Sequence, residues 1–137
     1  MSAVAVDTSV LLAIFKGEPK GEHWLECLQS TAETATLLVS SVVLAEIRSF
    51  FPSGEACRKT LRSIHLRHSP FTEEARFSRG SYSAPIATKA VPRKTILPDF
   101  LVAAHAATQA DSLATEDRGY LRRYFPALRL LTPDASK

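Results

Sequence analysis

Short apolar runs rich in β-branched and small residues alternate along this chain with longer stretches of helical character. Residues 3–6, "AVAV", and residues 37–39, "LLV", are two such runs, and helical stretches at residues 9–15 and 20–31 separate them. Continuous apolar runs of this length are typical of strands buried on both faces of a parallel sheet. The alternation predicts an α/β fold, in which a small parallel β-sheet is flanked by helices in three α/β/α layers.

The remaining chain continues this pattern without repeats or a low-complexity linker, so residues 1–137 are expected to form a single domain. Val43, Ile47 and Phe50 are spaced as one apolar helical stripe. Pro98 is expected to open its helix, because proline is favoured at the first helical position. Further helices are predicted at 42–50, 55–64, 98–110 and 119–125, and further strands within 65–71 and at 113–114 and 128–131.

The composition is that of a globular protein, with 137 residues of which 45% are hydrophobic. The apolar stretches are far shorter than the roughly 18 residues of a membrane helix. No basic segment followed by a long apolar run marks a signal peptide, so we expect a cytoplasmic protein. Cys27 and Cys57 do not form a disulfide framework, and we expect two reduced thiols that fill apolar space, as in a reducing compartment.

The positive charge is concentrated in the middle of the chain. Residues 51–100 carry 9 basic and 4 acidic side chains, whereas residues 1–50 carry 3 basic and 6 acidic ones. A basic middle region favours an anionic partner such as nucleic acid, although a solvated basic face would have the same composition. The candidates for contacts with the phosphates of such a partner are Arg58, Lys59, Arg62, Arg93 and Lys94.

Acidic residues fall at positions where a parallel sheet would bring them together. Asp7 ends the first strand and Asp117 follows the strand at 113–114, so both are predicted at the carboxyl edge, where such sheets bind ligands. Asp99 is predicted in the first turn of its helix, where the helix dipole favours a carboxylate. Glu46 is predicted at the margin of the apolar stripe of its own helix.

Clustered carboxylates are electrostatically unfavourable unless a cation joins them. Two like charges about 4 Å apart repel by roughly 4 kcal/mol at an effective dielectric constant near 20. Oxygen ligands of this type suit Mg²⁺ or Mn²⁺, and two such ions can promote the hydrolysis of a phosphodiester. The alternative is that each acid is a separate helix cap or surface residue, and the spacing alone does not decide between the two.

Three segments resemble the PIN-domain ribonucleases, specifically the VapC-type toxins of bacterial type II toxin–antitoxin pairs. They are "VDTS" at the start, "SVVLAEIRSFF" in the middle, and "ILPDFLVAAHAATQADSLATEDRGYLRRYFPALRLLTP" towards the end. The resemblance covers nearly the whole chain, but residues 78–96 match loosely. It implies a metal-dependent endoribonuclease that uses one or two Mg²⁺ or Mn²⁺ ions, forms a homodimer and is neutralised by a small cognate antitoxin.

The resemblance also assigns roles to individual residues. Ser9 matches a small hydroxyl residue that forms hydrogen bonds within the family's site, and Thr115 matches a threonine that orients the strand end and its acid. Phe50, Phe51 and Trp24 would supply exposed apolar surface compatible with a dimer. The catalytic and metal-binding quartet of the family is matched by Asp7, Glu46, Asp99 and Asp117.

One departure from the family pattern is Glu116, at a position where relatives usually carry a basic or neutral residue. This acid could weaken RNA binding or add a metal ligand. The main alternative function is a catalytically inactive PIN-like protein that binds RNA or protein. Receiver domains and haloacid-dehalogenase-type phosphatases are disfavoured because Asp7 lacks the neighbouring acid that they need. His65 and His68 are better explained as surface residues than as zinc ligands.

Overall fold

A computed structural model describes residues 2–70, 93–116 and 125–133, with the helical backbone alone for residues 93–99. Within these ranges five strands alternate with helices. The strands are β1 (Ser2–Val6), β2 (Ala35–Val39), β3 (Leu66–His68), β4 (Ser112–Ala114) and β5 (Arg129–Leu131). The helices are α1 (Thr8–Phe15), α2 (Pro19–Thr31), α3 (Ser41–Ile47), α4 (Gly54–Ser63) and α5 (Arg93–Gln109).

The five strands form one parallel sheet in the order β3-β2-β1-β4-β5. β1 is the central strand, and it pairs with β2 on one side and with β4 on the other. Consecutive residues of a strand point to opposite faces of the sheet, and Val4, Ala5 and Val6 are all buried. Both faces are therefore covered, which confirms the predicted three-layer α/β/α arrangement.

The helices α2, α3 and α4 begin at residue types that are favoured at a helix N-terminus. Pro19 occupies the first turn of α2, where a missing N–H costs nothing. Ser40 and Ser53 cap α3 and α4, because their hydroxyls accept hydrogen bonds from the backbone N–H groups of Val43 and Ala56. The predicted boundaries of α1, α2 and α4 are confirmed within one residue.

The helix predicted at residues 42–50 is shorter than expected. α3 ends at Ile47 and continues as a 3₁₀ turn from Arg48 to Phe50. Val43 and Ile47 are buried as the stripe predicts, but Phe50 is 47% exposed because the tighter turn rotates it away from the core. The expectation that Trp24 supplies exposed surface is wrong, since its side chain is completely buried.

The helix expected to open at Pro98 begins earlier. α5 starts at Arg93, so Pro98 is its sixth residue and Asp99 lies beyond the first turn. The argument that the helix dipole favours Asp99 in a first turn is therefore wrong. A proline near the start removes one backbone hydrogen bond, and this 17-residue helix, rich in alanine, tolerates that loss.

Three further expectations concern the cysteines, membrane-spanning helices and the helix predicted at residues 119–125. Cys27 and Cys57 are buried free thiols, as predicted. In the parts of the chain that the structure describes, no helix has the length and apolar character needed to span a membrane. The helix predicted at 119–125 lies outside the described residues except for Phe125, which is buried.

Gly21 sets the distance between α1 and α2. A Cβ atom at this position would lie 2.2 Å from the carbonyl oxygen of Ala13 and 2.6 Å from its carbonyl carbon. Both are backbone atoms of α1, so rotation of a side chain could not relieve the clash. α2 therefore packs directly on the backbone of α1, the helix that begins beside Asp7.

We expect Gly21→Ala to destabilise the fold by about 1–3 kcal/mol, because overpacking outweighs the helical preference of alanine. Thermal unfolding should show a melting temperature lower by several degrees. Gly54→Ala is the matched control, since its Cβ would approach no atom closer than 3.7 Å. Equal melting temperatures for the two variants would contradict the proposed close contact.

Candidate active site

The candidate site lies at the carboxyl edge of the sheet, between β1 and β4. The chain passes from β1 to β2 on one side of β1, and later crosses to β4 on the other side. Ligands of open parallel sheets bind at such a change of direction. Asp7 follows β1 directly, and its backbone N–H donates to the carbonyl of Ala114 over 2.9 Å. This extends the β1–β4 pairing by one residue and places Asp7 beside Thr115.

Two hydroxyl groups hold the carboxylate of Asp7. Ser9 Oγ donates to Asp7 Oδ2 at 2.7 Å, and Thr115 Oγ1 donates to the same oxygen at 2.8 Å. Asp7 is the residue that precedes α1, but its side chain does not cap the helix. The carboxylate is therefore oriented by side chains from α1 and from the end of β4. The structure thus brings Ser9 and Thr115 to Asp7, and their roles in a functional site stay predictions.

Glu46 is brought next to this group by Thr8. Thr8 Oγ1 donates to Glu46 Oε1 at 2.9 Å, across the space between the start of α1 and the end of α3. Thr8 itself is buried with 8% exposure. Thr8 was not among the residues predicted for the site, although its position between Asp7 and Ser9 was the available signal. Two of the predicted acids, Asp7 and Glu46, therefore lie on adjoining elements linked by one threonine.

The backbone of α5 gives the position of Asp99 relative to the sheet. α5 packs against β1 and β4 and ends at Gln109, just before β4 begins. A helix that leads into a parallel strand runs antiparallel to it, so the early part of α5 lies towards the carboxyl edge. Asp99 is ten residues before the end of α5, or about 15 Å along its axis, similar to the length of a five-residue strand. Its backbone is therefore level with the edge that carries Asp7.

Asp117 lies outside the described residues, and so do the side chains of Asp99, Arg93 and Lys94. Among the side chains that the structure describes, no three acidic, histidine or cysteine residues are close enough together to hold a metal ion. Asp7, Glu46 and Glu116 therefore do not make a metal centre by themselves. Any metal site built on Asp7 and Glu46 would need further ligands, and Asp99 and Asp117 stay predictions.

Glu116 is held at the site from two directions. Its backbone N–H donates to Ser9 Oγ at 3.0 Å, and its carboxylate accepts a hydrogen bond from the indole N–H of Trp24. Trp24 lies in α2 and is fully buried. This pairing is not visible in the sequence, because the two residues are 92 positions apart and only the tertiary structure joins them.

The histidines take structural or surface positions. His65 has a positive φ of 64° and follows the end of α4, a position where the chain leaves a helix. His68 is exposed, and its Nε2 lies 2.9 Å from Ser41 Oγ. His105 lies on α5 and is buried, and burial lowers the pKa of its imidazole; a backbone hydrogen bond with Ser69 opposes this effect, and the nearby His68 adds to it.

The basic side chains of α4 form an exposed surface. Arg58, Lys59 and Arg62 are all exposed. Arg58 and Arg62 also border a groove with a volume of about 640 Å³ between α3, α4 and β3. The arrangement fits either an anionic ligand or a solvated basic face, the two possibilities that the sequence left open. The groove is lined by Leu44, Ala45, Arg48, Gly54, Cys57, Arg58, Leu61, Arg62, Leu66, Arg67 and His68.

Three solved structures with the same fold are structures of VapBC proteins. VapBC2 from Rickettsia felis, bound to a DNA fragment from its promoter, is 25% identical, with a TM-score of 0.71 over 94% of this chain and 97% of that chain. DNA-bound VapBC from Salmonella typhimurium is 21% identical, with a TM-score of 0.71 over 96% and 98%. VapBC-1 from nontypeable Haemophilus influenzae is 16% identical, with the same TM-score over 96% and 98%.

The sequence itself matches a family model. No curated protein sequence is significantly similar to this chain. The model of the PIN domain, in contrast, matches residues 4–126, which is most of the chain. The resemblance seen in the sequence motifs is thereby confirmed, and this chain belongs to the PIN domain family.

Proposed function

We propose that this chain is a metal-dependent endoribonuclease that acts as the toxin of a toxin–antitoxin pair. The observation that carries the proposal is the carboxylate of Asp7, which Ser9 and Thr115 orient at the carboxyl edge between β1 and β4. A capping or surface aspartate needs no such orientation from two separate elements. Membership of the PIN domain family supports the same activity.

The donor set fits a hard divalent cation. Asp7 and Glu46 offer carboxylate oxygens, which Mg²⁺ and Mn²⁺ prefer over softer ligands. We propose that one or two such ions are held by Asp7, Glu46, Asp99 and Asp117. Bound ions of this kind supply Lewis-acid activation of a water molecule and stabilise the leaving oxygen of a phosphodiester.

The chain's own residues prepare this site. The hydroxyls of Ser9 and Thr115 both bind Oδ2 of Asp7, so they fix the plane of the carboxylate before any ligand arrives. Thr8 fixes Glu46 in the same way through Oε1. Hydrogen bonds that orient metal ligands typically change metal affinity or activity 10- to 100-fold when they are removed. The site therefore depends on three hydroxyls as well as on its acids.

Asp7→Asn should abolish RNA cleavage and cellular toxicity while the circular dichroism spectrum stays unchanged. The amide oxygen can still accept hydrogen bonds from Ser9 and Thr115, so the fold is kept while the charge is lost. The measurement is cleavage of defined RNAs in Mg²⁺ or Mn²⁺, with sequencing of the product ends.

Asp111→Asn is the matched control for this variant. Asp111 Oδ2 accepts a hydrogen bond from the backbone of Ala3 at 2.7 Å, at the amino edge of the sheet. The control should cut RNA like the wild type. A folded Asp7→Asn variant with wild-type cleavage would contradict the assignment, and a folded wild type that binds RNA without cutting it would favour the inactive binding module.

Divalent metal should stabilise the wild type by relieving repulsion between the acids. A ligand at about 100 times its dissociation constant adds roughly 2.7 kcal/mol, which raises the melting temperature by several degrees. Melting curves in EDTA, in millimolar Mn²⁺ and in NaCl of equal ionic strength test this. Asp7→Asn and Asp99→Asn should lose less stability in EDTA and should respond weakly to Mn²⁺.

The control measurement again uses Asp111→Asn, which should respond to Mn²⁺ as the wild type does. Identical wild-type curves in EDTA and Mn²⁺ would show that the four acids do not share a high-affinity site. The proposed nuclease would then lose its physical basis.

The basic residues of α4 are proposed to bind RNA phosphates, together with Arg93 and Lys94. The double variant Arg58→Gln/Arg62→Gln should weaken RNA binding and reduce the slope of log K against log salt by about 1.4, because each phosphate contact to a single strand contributes about 0.7. Fluorescence anisotropy with a labelled RNA at several salt concentrations measures this slope.

Lys16→Gln/Lys20→Gln is the charge-matched control, since both lysines are exposed and neither belongs to α4. It should leave the slope nearly unchanged. Equal slopes for both double variants would identify the α4 surface as a solvated face without a role in RNA binding.

The proposed partners are an antitoxin and a second copy of the chain. Solved structures of the same fold are titled as VapBC complexes from three bacteria, which supports a cognate antitoxin for this chain. A homodimer is proposed from the resemblance to the same class of toxins. Phe50 is a large apolar side chain with 47% exposure, but a single exposed apolar residue is common on monomers and does not carry this proposal.

A further inference from the structure

Trp24 and Glu116 form a contact that the proposed chemistry does not use. Trp24 is fully buried in α2, and its indole N–H donates to Glu116 Oε1. Buried polar groups are nearly always paired, and a buried indole N–H needs an acceptor. The carboxylate of Glu116 supplies that acceptor. It is therefore connected to the core helix α2 as well as to the edge of the sheet.

The position of Glu116 gives this contact its significance. Thr115 on one side binds Asp7 Oδ2, and Asp117 on the other side is a proposed metal ligand. The backbone N–H of Glu116 binds Ser9 Oγ, the same hydroxyl that orients Asp7. Glu116 thus has one hydrogen bond to the site and one to α2, immediately before a residue that the site needs.

We propose that Trp24 and Glu116 are positioning residues, whose hydrogen bond fixes the end of β4 so that Thr115 stays aligned with Asp7. This inference rests on the proposed function. It assigns Glu116 the role of a hydrogen-bond acceptor, in place of the added metal ligand or the source of RNA repulsion considered from the sequence. α2 thereby supports a site to which it contributes no acid.

The close packing of α1 and α2 makes such support effective. Gly21 lies one turn before Trp24 and lets α2 rest on the backbone of α1. α1 in turn begins directly after Asp7 and carries Ser9. Trp24 is therefore held at a fixed distance from the residues that it helps to align, which a flexible surface side chain could not achieve.

The two roles for Glu116 differ in what they require. A metal ligand needs the negative charge, whereas an acceptor for an indole N–H needs an oxygen lone pair. Glu116→Gln keeps the oxygen and removes the charge, while Glu116→Leu removes both. Trp24→Phe removes the indole N–H and keeps an aromatic ring in the core. These three variants separate positioning from ligation.

Isothermal titration with Mn²⁺ in the absence of RNA is the main measurement. We expect Glu116→Gln to bind Mn²⁺ within about threefold of the wild type. Trp24→Phe and Glu116→Leu should bind at least about tenfold more weakly, the range seen when groups that orient metal ligands are removed. Weak binding by Glu116→Gln with wild-type binding by Trp24→Phe would overturn the proposal and make Glu116 a ligand.

Intrinsic fluorescence gives an independent readout, because Trp24 is the chain's single tryptophan. Glu116→Leu should change the emission of Trp24, and Glu116→Gln should change it less. If Trp24→Phe fails to fold, Glu116→Gln and Glu116→Leu still distinguish the two roles of Glu116. Only the acceptor role predicts that Glu116→Gln binds Mn²⁺ nearly as well as the wild type while Glu116→Leu does not. Unchanged emission and unchanged Mn²⁺ affinity in a folded Glu116→Leu variant would overturn the proposal.

The failure of the positioning role can be distinguished from that of the proposed function. A wild type that neither binds Mn²⁺ nor cuts RNA overturns the nuclease proposal and the positioning role with it. A wild type that does both, while Trp24→Phe and Glu116→Leu bind Mn²⁺ equally well, overturns the positioning role and leaves the nuclease intact.

Discussion

The parallel pairing of β1 with β4 is the constraint on which the candidate site depends. These strands are far apart in sequence, and their pairing brings Asp7 beside Thr115 at the carboxyl edge of the sheet. The hydroxyl of Thr115 can reach the carboxylate of Asp7 because the backbone of Asp7 is itself bonded to Ala114. Without this pairing, Asp7 would be a residue at the start of α1 with no partner from the second half of the chain.

Hydroxyl groups are the second feature of the site. Thr8, Ser9 and Thr115 donate to the carboxylates of Asp7 and Glu46. Each such bond restricts the orientation of a carboxylate. The arrangement holds the carboxylates of Asp7 and Glu46 on adjoining elements of a small domain. In the proposed function, a bound divalent cation would relieve the repulsion between the acids.

The supporting helices have distinct roles in this arrangement. α1 carries Ser9 and begins at the site, α3 supplies Glu46, and α5 brings the backbone of Asp99 to the level of the same edge. α2 contributes no acid to the proposed quartet, yet Trp24 connects it to the segment after β4. Under the proposed positioning role, α2 affects the chemistry of the site through this single buried indole.

The sequence by itself determined the α/β class and most element positions, because apolar periodicity is a local signal; it also predicted the four acids of the site, which stay a prediction. It misplaced the start of α5 and the side chain of Phe50, because proline and an apolar stripe do not report how a helix end packs. Only the tertiary structure decided that Thr8 binds Glu46 and that Trp24 binds Glu116. Such contacts join residues 38 and 92 positions apart, and they follow from strand order and helix packing, which no local pattern encodes.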